Sequence, residues 1–358
     1  PNPTIGVEIE LQLIDDNTLD LKNISSKVLA DIDKKFCNRM KYELFESMIE
    51  INTDICSTIE EVEGDIKQTL RHLEEVLKNY NASINCSSLH PFARGKNQII
   101  SNDSRYKRIM NDLQIIGTRF ITQGLHVHIG IDECEKVIKV NNALRIYLPL
   151  LLALSTSSPF YEGEDTGLYS YRTKIFESLP LAGMPDYLNN WDHFTNITEN
   201  LIKANVIRSV KDLWWEVRPH PGFGTVEIRI CDIPVNLIQI LALVALMQAL
   251  VVTIQNLDKY PDTHIQILES NKWQAVRYGL EGTFIDPLTL KQLPIKKAIE
   301  DLCNLIEPVM ISLGSAKYVR VIEEILIQGT GASQKRDIFK KSGKFEYMIK
   351  SMKERFYQ

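Results

Sequence analysis

The sequence predicts an α+β protein built on a mainly antiparallel sheet. Two observations carry this. Short stretches alternating with period two recur along the first two-thirds of the chain, each with ionisable residues on one parity. Some are separated by helical segments and others follow one another directly, and from about residue 260 the chain reads as mainly helical. That order suits an α+β arrangement better than a doubly wound parallel sheet.

The first strand is read over residues 4–14, TIGVEIELQLI, with Ile5, Val7, Ile9 and Leu11 on one side and Glu8 and Glu10 on the other. Residues 46–53 alternate again, placing Glu46, Met48, Glu50 and Asn52 on one parity. Thr58 then opens a helix. Glu61 sits where a capping box needs it, and Ile59, Val62, Ile66, Leu70, Leu73 and Leu77 form the apolar stripe. Residues 124–131, GLHVHIGI, read as a third strand with His126 and His128 on one face, followed by a helix over about 136–154. Residues 225–231, TVEIRIC, form a fourth, with Glu227 and Arg229 on one face, and Pro234 stops it. The apolar run Val235–Ile254 is interrupted by Asn236, Gln239 and Gln248 and is read as a buried core helix rather than a membrane span. A further helix covers Lys296–Leu313. With no repeat, low-complexity tract or linker, one domain over 1–358 is expected: a sheet-containing core to about 260 and a helical part from 261.

Composition narrows the function classes. The 358 residues are 44% hydrophobic and 24% charged, with a net charge of −5. This is ordinary for a soluble globular protein and lacks the basic footprint of a nucleic-acid binder. The six cysteines are scattered, without CxxC or zinc-ribbon spacing, so reduced thiols and a cytoplasmic location are expected, and the opening residues show no signal-peptide pattern. No GxxxxGK[ST], GxGxxG or GxSxG sequence occurs, which removes P-loop, simple dinucleotide and α/β-hydrolase readings.

The polar faces of the four strands carry Glu, Glu, Glu, His, His, Glu and Arg, where a solvated face would be mixed and lysine-rich. A hard cation such as Mg2+ takes a few carboxylates plus phosphate and water oxygens. Glu8 and Glu10 point the same way, roughly 7 Å apart by strand rise, and Glu50 and Glu227 can join them from other strands. His126 and His128 leave two options open: an imidazole in a carboxylate-rich site, or zinc binding by an HxH pair, as in a zinc-dependent hydrolase. A nucleotide-binding protein without catalysis is a third reading. Arg172, Lys174, Arg218, Arg229 and Arg277 supply cations suited to carboxylate or phosphate.

The segments GVEIEL, ESMIEINTDIC, GLHVHIG, LSTSSPFYEGEDTGLYSYRTKIFESLP, WWEVRPHPGFGTVEIRICD and RYGLEG resemble the glutamate–cysteine ligase type 2 family, in its bacterial carboxylate–amine ligase branch. The similarity runs from about residue 4 to about 350, and WxxRPxxxFGTVExR is its most specific part. The resemblance implies a fold like the glutamine synthetase catalytic domain, a curved antiparallel sheet around a funnel-shaped site flanked by helices. It also implies ATP and Mg2+, with a substrate carboxylate, glutamate in the type enzyme, activated as an acyl phosphate and taken by an amine, cysteine in the type enzyme. Transferred by position, Glu8, Glu10, Glu50, His126 and Glu227 look like the metal set, with Glu43 and Glu46 at its edge. Arg229 looks like the arginine facing the transferred phosphate, and Arg172, with Lys174, like a binder of substrate carboxylate or phosphate. Arg218, Arg277 and His128 are placed with the nucleotide or substrate. A homodimer is the family expectation.

Overall fold

The computed structural model describes residues 2–357; Pro1 and Gln358, the ends of the expected domain, lie outside the described residues. Its centre is one seven-stranded sheet: β1 (Ile5–Asp15), β2 (Met40–Tyr42), β3 (Met48–Asn52), β4 (Ala82–Asn85), β5 (Leu125–Gly130), β6 (Val217–His220) and β7 (Thr225–Ile228). The order is β6-β7-β5-β1-β3-β2, with β4 also paired to β1. Every pairing is antiparallel. The long β1 organises the sheet. It pairs with β3 on one side, and with β5 and then β4 on the other.

The two parities of β1 have separate fates. Ile5, Val7, Ile9, Leu11 and Leu13 join Ile49, Ile51, Val127, Ile129, Val226 and Ile228 in one apolar core. The helix Leu237–Asn256 supplies the other side of that core, with almost every side chain buried. That helix and Cys134–Ser155 are long and apolar enough to cross a membrane, but the most apolar window of each is 89% buried inside the fold. Both therefore act here as core helices.

The expected elements form with small shifts at their ends. The helix after Thr58 is Ile59–Lys78; Thr58 Oγ1 accepts the Glu61 amide at 3.2 Å. Glu61 reaches back to the Ser57 amide at 2.6 Å, one residue earlier than a standard capping box. The last strand ends at Ile228, so Arg229 stands just beyond it, its amide donating to the Glu216 carbonyl at 2.8 Å. Beyond 260 come helices Ile265–Tyr278, Ile295–Ser312, Lys317–Gln328, Gly331–Ser342 and Phe345–Glu354, interrupted by a hairpin of Thr283–Ile285 and Gln292–Pro294.

Candidate active site

The second parity of the sheet floors a cavity of about 270 Å3 that opens to solvent. Its walls come from the helix Ser104–Leu113, the helix Tyr171–Phe176 and the segment around Lys211 and Trp214. Glu8, Glu10, Glu50, His126, His128, Glu227, Arg172, Arg218 and Arg229 all line it. Sheet register brings them together: Glu8 lies opposite His126, Glu10 opposite Glu50, Glu227 opposite both His128 and Arg218.

Two ligand-like clusters share β1. In one, Glu8, His128 and Glu227 bring one ligand atom each within 4.8 Å of one another; in the other Glu10, Glu43 and Glu50 do the same. His128 Nδ1 is paired with Thr225 Oγ1 at 2.9 Å, which leaves Nε2 facing Glu8 at 3.6 Å and Glu227 at 3.8 Å. That Nε2 is buried and has no hydrogen-bond partner, as is His126 Nε2. A histidine held by one nitrogen with the other aimed at carboxylates has the form of a metal ligand. His126 instead directs Nδ1 to Glu8 at 3.3 Å and to Arg229 at 3.4 Å. The donor sets are two carboxylates with one imidazole, and three carboxylates. Such oxygen-rich sets fit a hard divalent cation, and neither gathers the several histidines expected of a zinc hydrolase.

The clusters differ electrostatically. Burial would raise the Glu8 carboxyl, but hydrogen bonds and charge from His126 and His128 outweigh it and hold it well below the ordinary range. Glu227 is pulled down despite full burial by Arg229 and Arg218. Arg218 donates from Nε to Glu227 Oε2 at 2.6 Å and from Nη2 to Oε1 at 3.3 Å, and Arg229 also bonds Oε1. On the other side, burial pushes Glu10 up to about 7, against Arg172 and with help from Glu50. Burial likewise raises Glu43 and Glu50, and neighbouring carboxylates add to it. This second cluster lacks the positive charge that would let three carboxylates ionise together.

Arg172 is held from behind. Its amide donates to Ser158 Oγ at 3.2 Å, and its guanidinium to the carbonyls of Ile230 at 3.2 Å and Arg229 at 3.4 Å. The buried Asp232 accepts from the Ser157 amide at 2.9 Å, Ser158 Oγ at 2.7 Å and Ser170 Oγ at 2.8 Å, fixing the start of the helix that carries Arg172. Lys335, from the C-terminal helices, donates to the Ser157 carbonyl at 2.6 Å.

The family model for glutamate-cysteine ligase family 2 matches residues 4–354. The chain belongs to that family. A relative from Gloeobacter violaceus, named "Putative glutamate--cysteine ligase 2", is 39% identical, over 95% of this chain and 93% of its own. One of the same name from Solibacter usitatus is 36% identical, over 98% and 93%. Among solved structures, the glutamate–cysteine ligase of Francisella tularensis in complex with AMP superposes with a TM-score of 0.77 at 13% identity, covering 99% of this chain and 88% of that one. A bifunctional glutathione synthetase from Pasteurella multocida gives 0.72 at 14% identity, covering 99% of this chain and 52% of the other. These two share the α+β fold with this member of the family, as expected from its sequence.

Not every expected site residue reaches the cavity. Lys174 lies outside it, bonded to Glu177 and 5.6 Å from the Trp273 ring, because two residues of helix turn it away from Arg172. Arg277 is half-buried outside the cavity and donates to the Gly167 carbonyl at 2.6 Å. Glu46 accepts from Ser25 Oγ at 3.0 Å and the Ser26 amide at 2.8 Å, and tethers the 25–30 helix instead of joining a cluster. Glu43, expected only at the edge, is a full member of the second cluster. Arg105, Tyr106, Lys211 and Trp214 line the cavity without having been singled out in the sequence. Asp103, which caps the 104–113 helix, was the one local signal for the first pair.

Proposed function

We propose that this protein is an ATP-dependent carboxylate–amine ligase of the glutamate–cysteine ligase type. The observation that carries the reading is the pair of partly buried ligand clusters that share β1, with Arg229 and Arg172 reaching the same cavity. Such a site can neutralise a nucleotide's phosphates while it holds a second anion in line with them.

In this reading Glu8, His128 and Glu227 would hold one divalent cation and Glu10, Glu43 and Glu50 another. Bound magnesium supplies neutralising charge to the transferring phosphoryl group. In this reading the ligand role expected of His126 passes to His128, and His126 orients Glu8 and Arg229. Arg229 faces the γ-phosphate of ATP. Arg172, rigidly backed by Asp232 and Ser158, binds the carboxylate of the acid. A carboxylate oxygen of the acid attacks the γ-phosphorus, the bond to the β-phosphate oxygen breaks and ADP leaves. The amine nitrogen then attacks the acyl carbon and loses a proton, and inorganic phosphate departs with the electron pair of the C–O bond. Glutamate and cysteine are the first acid and amine to try, and a reducing cytoplasm, consistent with six free thiols, is the proposed compartment.

The test is ADP release from protein, ATP and Mg2+ with a matrix of amino-acid carboxylates and amines, with products identified by mass spectrometry. Release that depends on both acid and amine is expected. Nucleotide binding without turnover for any pair would replace the ligase by a non-catalytic nucleotide-binding protein.

A further inference from the structure

Two adjacent residues of the helix Gly331–Ser342 reach the segment that leads into Arg172. Residues 157–170 form a closed loop. Its stems meet where the Ser158 amide donates to the Tyr169 carbonyl at 3.2 Å and the Tyr171 amide to the Ser158 carbonyl at 3.0 Å. Arg172 follows directly on the second stem. Lys335 grips the first: its Nζ donates to the Ser157 carbonyl at 2.6 Å and to Ser87 Oγ at 2.5 Å. Arg336 grips the far side of the loop. Its Nε and Nη2 donate to the Asp165 carboxylate at 3.0 and 2.6 Å, and Nη2 also to the Leu168 carbonyl at 2.8 Å. Its guanidinium lies 5.0 Å from the centre of the Tyr169 ring. The start of the helix is pressed against the same stem. The Ala332 amide donates to the Thr156 carbonyl at 3.0 Å, Thr330 Oγ1 pairs with Thr156 Oγ1 at 2.7 Å, and a Cβ on Gly331 would stand 3.1 Å from Ser157 Cβ.

Lys335 is an expensive way to hold a helix in place. Lys272, equally buried, has Glu177, Glu216 and Glu269 within 3.1 Å. Lys335 is 4% exposed, and among the described residues its bonded partners are a hydroxyl and a carbonyl. Asp232 faces it, but both Asp232 oxygens are taken by Ser157, Ser158 and Ser170. An ammonium buried on neutral acceptors stabilises a fold less than an apolar side chain of the same length would. What Lys335 does fix is the place of Ser157. From there the connection to the cavity is short. The Ser157 amide and the Ser158 hydroxyl share Asp232 Oδ2, and Ser158 Oγ accepts the Arg172 amide at 3.2 Å. The Arg172 guanidinium is held only by the carbonyls of Ile230 and Arg229, so its backbone decides where it points.

We propose that Lys335 and Arg336 are positioning residues for the acid substrate: from the C-terminal helix they clamp the 157–170 loop and so fix where Arg172 presents its guanidinium to the cavity. This rests on the ligase reading and extends its acid site into the helical C-terminal part of the chain. Neither residue lines the cavity. Both act through Arg172. Losing a group that orients a ligand-binding side chain typically costs roughly 10–100-fold in affinity or rate.

The experiment uses the full chain with ATP, Mg2+ and the best acid and amine from the matrix. Lys335→Met is expected to raise the KM for the acid roughly 10–100-fold while the KM for ATP holds and the urea midpoint stays level or rises. Arg336→Met is expected to raise the KM for the acid in the same direction, again with the KM for ATP unchanged. Its partner Asp165 is exposed, and such a pair contributes little to stability, so this variant decides the case if Lys335→Met fails to fold. Lys340→Met, exposed on the same helix, is the control and should match the parent. An unchanged KM for the acid in a folded variant overturns the role of that residue, and a lowered urea midpoint beside it would make the contact purely structural. A rise in the KM for acid and ATP together also overturns the proposal, since it would mean a general loosening of the site. Either result leaves the ligase intact. No acid-dependent ADP release by the parent protein with any pair overturns the ligase reading, and this proposal with it.

Discussion

Glu8 and Glu10 stand two residues apart on one face of β1, and their carboxyl groups are driven in opposite directions. Glu8 is held down by two histidines, whereas burial pushes Glu10 up to about 7 from 4.5. A raised acid favours the folded state while protonated and loses that advantage as it ionises. The cation-free protein is therefore expected to lose stability through Glu10 as pH rises from about 4.5 to about 7. A divalent cation should restore it. Thermal unfolding in EDTA and in excess Mg2+ checks this: the Mg2+ increment in Tm should be larger at pH 8 than at pH 5. Glu10→Gln should flatten the slope in EDTA. An equal increment at both pH values would argue against cation binding between these carboxylates.

Arg218 is the structural anchor of Glu227. Besides its fork onto the carboxylate it donates from Nη1 to the Leu213 carbonyl at 2.6 Å, and only 6% of its side chain is exposed. Arg218→Met removes one partner of a buried pair and leaves Glu227 to Arg229 alone. Breaking such a pair costs about 3–5 kcal/mol, so urea unfolding should show a loss of that order. A loss below about 1 kcal/mol would mean that Arg229 carries Glu227 unaided.

The sheet was legible because alternation is a strong signal over strands this long, and the site because ionisable residues broke the usual composition of a polar face. Register was not legible. Period two puts His126 and His128 on one face but cannot say which meets Glu227; pairing of β7 with β5 sets His128 opposite Glu227, and pairing of β1 with β5 sets His126 opposite Glu8. Glu43 carries no periodic signal, because it lies just past β2, a strand of only three residues. Lys174 and Arg277 were drawn in by motif proximity alone. Helix geometry turns the first away from the cavity, and the second lies outside it.

Gly124 keeps a gap that Arg172 fills. A Cβ at this position would stand 2.3 Å from Arg172 Nη2 and 3.0 Å from His126 Nε2. The Gly124 amide also donates to Glu10 Oε2 at 2.6 Å, so the backbone cannot simply retreat. Gly124→Ala should therefore move Arg172 and leave the apolar core intact. A displacement near 1 Å at a reacting group costs roughly 100-fold in rate. Turnover should fall by about that factor, with circular dichroism and the urea midpoint little changed. Full activity in this variant would mean that the Arg172 position is not needed for turnover.

His90 gives the fold an acid limit away from the active site. Its Nε2 lies 2.9 Å from the Leu19 carbonyl, and its Nδ1 accepts the Ala93 amide at 3.0 Å. Only a neutral ring protonated on Nε2 satisfies both, since a proton on Nδ1 would face an N–H. Burial pushes its pKa down to about 4 from 6.5, outweighing the hydrogen bond to Leu19. Above pH 6.5 the ring is neutral whether the chain is folded or not, and it adds no pH dependence. As pH falls from 6.5 towards 4, the unfolded chain takes up a proton that the folded one resists, and stability drops by up to about 3 kcal/mol. Urea midpoints across that range should fall in the parent protein and fall less steeply in His90→Gln. An equally steep curve in the variant would assign the acid sensitivity to other groups.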